Sequence, residues 1–131
     1  MKTSKKYFER FKTAFLFWQK ELGLTQYRVI FYHQLLKYEE ETYFAQLVVG
    51  EKNKLAQVSL TTNIKDPKND DGPESHAKHE AIHLLLHRLR WLGGCRYIES
   101  TDLDEEWEAI VVRLEKVLGC ELINLCPRYN K

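Results

Sequence analysis

The chain has 131 residues, enough for one domain with a real core and too few for a second catalytic lobe. Twenty basic and 19 acidic residues leave a net charge of +1, so there is no global basic field of the kind that drives nucleic-acid binding. Three cysteines, Cys95, Cys120 and Cys126, form no CxxC pair and are odd in number, which argues for free thiols rather than a secreted disulfide framework.

Taken in chain order, the first element is a helix from about Ser4 to Leu22. Tyr7, Phe8, Phe11, Phe15, Trp18 and Leu22 recur at helical intervals, and Gly23 supplies a stop. Glu9, Arg10 and Lys12 interrupt any signal-peptide core, and no apolar run is long enough for a membrane span, so a cytoplasmic location with no membrane partner is expected. Lys2, Lys5, Lys6, Arg10 and Lys12 make this helix locally positive. From Tyr27, "YRVIFYHQLL" and "TYFAQLVVG" read as two antiparallel strands about the charged turn "KYEEE". His33 in the first of them reads as a packing or strand-surface residue. "LAQVSLTT" alternates Ala56, Val58 and Leu60 with Gln57, Ser59 and Thr61, a third, half-buried strand. The loop "KDPKNDDGPES" leads into the next helix, with Ser75 as the expected cap. "GGC" at 93–95 ends that helix. A last one begins at "STDLDEEW" and runs to about Leu118, with Leu103, Trp107, Ile110, Val111, Leu114, Val117 and Leu118 as its apolar stripe.

The chemistry lies in "HAKHEAIHLLLHRLR", residues 76–90, where His79, Glu80 and His83 spell H-E-x-x-H. Residues four apart on a helix lie one above the other, so both imidazoles can face one cation. Zinc takes neutral imidazole nitrogens and lowers the pKa of a bound water, and a carboxylate beside the first histidine is placed to act as general base and then acid. His76 and His87 share that side of the helix. The pairs His76 with His79, or His83 with His87, are therefore rivals, and for the outer two a supporting or rim position is expected. Two histidines leave zinc short of a protein ligand. Among the acids of the last helix Glu106 borders the apolar stripe and is the leading candidate, ahead of Glu105 and Glu108. Tyr97 and Tyr129 are candidates for a hydroxyl near a developing oxyanion.

"HEAIHLLLH" resembles the active-site helix of small gluzincin-type zinc metallopeptidases, especially the ImmA/IrrE-like group, and "EWEA" at 106–109 is similar to the acidic helix that supplies their glutamate ligand. The likeness covers residues 55–118, and the α-βββ-α-α order also resembles SprT-like domains and minimal phage-type metallopeptidases. It implies one zinc ion held by His79, His83 and Glu106, with Glu80 activating water. The expected fold is α+β and zincin-like, a single domain over 1–131: an N-terminal helix, a three-stranded mainly antiparallel sheet, the H-E-x-x-H helix and a C-terminal glutamate-bearing helix. The expected function is peptide-bond hydrolysis on a protein or peptide substrate, with the strand "LAQVSLTT" offering an edge to it. The alternative is a catalytically idle zinc-binding regulatory module, or a DNA-associated one using the basic first helix.

Overall fold

Aromatic residues three and four apart build the first helix, and Ser4 starts it. In the computed structural model, which describes residues 1–38, 41–95 and 99–123, α1 spans Lys5–Glu21. The Ser4 side chain accepts the Tyr7 N–H at 3.0 Å, and Gly23, with φ at +69°, lets the chain turn away at the far end. Phe11 and Phe15 are fully buried, and both meet Phe31 edge-on.

The strands are β1 (Arg28–His33), β2 (Lys37–Tyr38), β3 (Glu41–Thr42), β4 (Ala45–Gly50) and β5 (Leu55–Leu60). The main sheet has the order β1-β5-β4, with β5 parallel to β1 and antiparallel to β4. The two strands expected to pair with each other therefore do not. The "LAQVSLTT" strand inserts between them, and the sheet is mixed rather than mainly antiparallel. Burial explains the central place of β5. Ala56, Val58 and Leu60 are wholly enclosed and even Ser59 is 6% exposed, whereas β4 alternates half-buried and exposed positions. Part of the expected charged turn forms a separate two-stranded ribbon, β2 with β3.

Helix α2 spans Pro73–Gly93. It starts ahead of the expected Ser75 cap because Pro73 suits the first helical position, where its missing N–H costs nothing. Gly72 precedes it at φ +95°, and its N–H is accepted by Asp70 Oδ1 at 2.9 Å. Helix α3, Ser100–Ile123, continues through Gly119 instead of stopping there. Its buried side is set by Ile110 and Val117, while Trp107, expected on the apolar stripe, is 62% exposed. The core joins α1, α2 and the sheet through Phe11, Phe15, Val58, Leu60, Leu84 and Leu85. Among the described residues no helix is long and apolar enough to cross a membrane.

Candidate metal centre and its cavity

The apolar positions Ala77, Ala81, Leu84, Leu85 and Leu92 press α2 onto the core, which turns the opposite arc of the helix outward. His79 and His83 lie on that outward arc with their Nε2 atoms 3.1 Å apart and their rings edge to face. Two imidazole nitrogens on one tetrahedral zinc, each at about 2.0–2.1 Å, stand about 3.3 Å apart. The 3.1 Å separation is that of a ring-to-ring hydrogen bond and lies close to this ligand spacing. Partial desolvation by its neighbours pushes the His83 imidazole below its ordinary pKa, helped by His79 and Arg90, and this favours the neutral form that a ligand nitrogen requires.

Glu80 occupies the neighbouring position and is 7% exposed. It makes no hydrogen bond or ion pair with the described residues; burial raises its carboxyl pKa and the nearby His79 partly offsets the rise. It lines a cavity of about 380 Å³ together with His79, His76, Asp71 and the Tyr43–Ala45 segment. That segment leads into the outer edge of β4. Phe44 O accepts the Thr61 N–H at 2.9 Å, so by antiparallel alternation Ala45, Leu47 and Val49 turn their backbone polar groups to the side that has no partner strand among the described residues. The central β5, expected to offer that edge, is paired on both sides.

The outer histidines serve as struts. His76 Nε2 meets Asp70 Oδ1 at 2.6 Å, and its ring stacks on Phe44 at 4.5 Å between centroids. Asp70 also accepts the Tyr7 hydroxyl, 2.8 Å to Oδ2. Burial alone would raise the Asp70 pKa, but the Gly72 N–H, Tyr7 and His76 outweigh it and hold the carboxyl below its usual value. His87 Nδ1 lies 2.8 Å from Glu51 Oε2, whose side chain is 1% exposed. Glu51 further accepts from Tyr27 Oη at 2.7 Å and Lys54 Nζ at 2.6 Å. These bonds likewise overcome burial and lower its pKa. The rival histidine pairs therefore do not form: each outer histidine has its own carboxylate.

Glu106 does turn inward, with a side chain 12% exposed, but its Oε2 lies 3.2 Å from Arg88 Nε. Among the described residues no three His, Cys, Asp or Glu side chains converge on one cation position, so the histidine pair is what this arrangement assembles. Glu105 and Glu108 are exposed. Tyr97 and Tyr129 lie outside the described residues. His33 stacks on Phe8 and bonds Thr3 Oγ1 at 2.6 Å, a packing role. On α1, Arg10 is paired with Glu74 and Lys12 with Glu9, which neutralises part of its basic face.

Asp70, Glu51 and Phe44 are not singled out by sequence reasoning, and Tyr7 is marked there only by its helical spacing. Asp70 is one of four acids in a loop, and Glu51 opens an ordinary "EKNK" turn, so nothing local distinguishes either from a solvated charge. Comparison of the chain with family models, curated proteins and solved structures finds no match.

Proposed function

We propose that this domain is a zinc-dependent peptidase with a zincin-like active centre. The observation that carries the reading is the 3.1 Å spacing of His79 and His83 Nε2 beside Glu80, a buried residue whose carboxylate has no partner among the described residues. His79 and His83 would hold the metal, and Glu106 is the candidate third ligand, which would have to exchange Arg88 for the ion. Bound zinc supplies Lewis acidity and lowers the pKa of a coordinated water. Glu80 takes the proton of the attacking water as the carbon–oxygen bond forms, then delivers it to the amine as the carbon–nitrogen bond breaks. A carboxyl raised by burial is suited to both halves of that exchange. The substrate lies extended along β4, where Ala45 and Leu47 offer main-chain bonds with little demand on side chains.

The competing reading is an idle metal-binding or regulatory module, and the pairing of Glu106 with Arg88 is the observation on its side. Zinc analysis of protein purified without a metal-affinity tag tests the shared premise. About one zinc per chain is expected, with loss in His79→Ala and in His83→Ala. Full occupancy in either variant would overturn the assignment. Hydrolysis of a degenerate peptide library by the zinc-loaded wild type then separates peptidase from idle module.

A further inference from the structure

The cavity beside Glu80 has a one-sided chemistry. Its polar lining includes Asn69, Asp71, Ser75 and His76, and no lysine or arginine lines it. Two of these side chains are also bonded within the protein. Asn69 Nδ2 donates to Asp66 at 2.5 Å, which leaves the Asn69 Oδ1 acceptor over. His76 gives its Nε2 proton to the Asp70 carboxylate, and the ring is fixed from a second direction by Phe44. Its Nδ1 has no partner among the described residues. Asp71 adds an exposed carboxylate. Glu80 provides a second sign that the cavity takes a ligand: a side chain 7% exposed, on the wall, with no hydrogen bond or ion pair to the described residues. With carboxylates and no lysine or arginine on its wall, the cavity favours a ligand that brings positive charge and hydrogen-bond donors. The Tyr43 and Phe44 side chains on the same wall suit the alkyl stem and the charge of such a group.

We infer that this cavity is a subsite for a cationic nitrogen of the substrate, a lysine or arginine side chain or an α-ammonium group, held by the Asp71 carboxylate and Asn69 Oδ1 beside Glu80. The inference deepens the peptidase reading by naming the substrate chemistry, and it rests on that reading only in assigning the cavity to substrate. A neutral apolar side chain would offer the Asp71 carboxylate no opposite charge. A carboxylate would meet Asp71 and Glu80.

Binding is tested without turnover and without added metal, by nuclear magnetic resonance titration of the His76 ring and the Ala45 amide. Three probes separate the sources: Nα-acetyl-L-lysine amide carries only the side-chain ammonium, L-norleucine amide only the α-ammonium, and Nα-acetyl-L-norleucine amide neither. Saturable shifts with one of the two cations and none with the neutral probe are expected. Asp71→Asn, a change at an exposed position, should weaken that binding roughly tenfold or more, the usual loss for a charge-assisted hydrogen bond. Response to norleucine amide alone would support the subsite and assign it to a chain N-terminus. Equal binding of the neutral probe, no binding of either cation, or unchanged affinity in Asp71→Asn would overturn the inference. Cation binding by a protein that cleaves no peptide would refute the peptidase reading and leave the subsite standing. Cleavage with no preference for a basic residue or free amine, and no probe binding, would do the reverse.

Discussion

Glu51→Gln removes one negative charge from the buried hub that ties the β4–β5 turn to α2, and its cost follows from the contacts. The Tyr27 hydroxyl can still donate to an amide oxygen, so that bond survives. Lys54 and His87 lose their ionised partner, and charge-assisted bonds are each worth about 1.5–3 kcal/mol when fully shielded. The Lys54 and His87 side chains are 33% and 24% exposed, so water recovers part of the loss. A net destabilisation of about 2–3 kcal/mol is expected, a fall in Tm on the order of 6–12 °C for a domain of this size. The pH dependence has a definite sign. The folded pKa of Glu51 lies below its ordinary value of 4.5, so its contribution is complete above that value and disappears as pH falls through the folded pKa. Thermal melts of wild type and variant at pH 7 and in steps below pH 4.5 should show a gap that narrows on acidification. A gap under about 2 °C at pH 7, or one that stays constant down to pH 3, would refute the hub.

Glu80→Gln should retain zinc and fold, and lower hydrolysis of any cleaved peptide by about a hundredfold or more; unchanged turnover would remove Glu80 from the chemistry. Glu106→Ala should weaken zinc binding by about tenfold or more in competition with a chelator, while Glu105→Ala leaves it unchanged. Equal affinity in both would assign Glu106 to Arg88 alone. Phe11→Ala empties a fully enclosed position in contact with Phe31 and should cost about 3–5 kcal/mol in urea denaturation; a loss below about 1 kcal/mol would contradict the packing described for α1.

Much of the fold is written in local pattern, and the exceptions share a cause. The bounds of α1 and the face carrying Ala56, Val58 and Leu60 follow from spacing and capping chemistry. Which strands pair does not, because alternation marks a face and not a neighbour, and β5 came between two strands that looked like partners. The start of α2 was a contest between Ser75 and Pro73 that local preference left open. The H-E-x-x-H spacing placed His79 and His83 together correctly, since both lie on one helix. The fates of His76 and His87 were illegible because their carboxylates lie 6 and 36 residues away, on a loop and a strand turn. Glu106 was rightly placed facing inward, but its contact with Arg88 depends on the docking of two helices, which spacing along one helix does not encode.

The two struts also fix a phase. His76 and His87 are 11 residues apart, about 20° beyond three full turns at about 100° per residue, so Asp70 and Glu51 clamp nearly the same line along α2 from its two ends. A helix held at one point can roll about its axis to relieve a misfit elsewhere. One held at two points on one line cannot, and the His79–His83 pair between them inherits that fixed bearing. Adding or deleting a residue between the clamps would set them about 100° out of step, so this segment should tolerate substitution far better than any change in length.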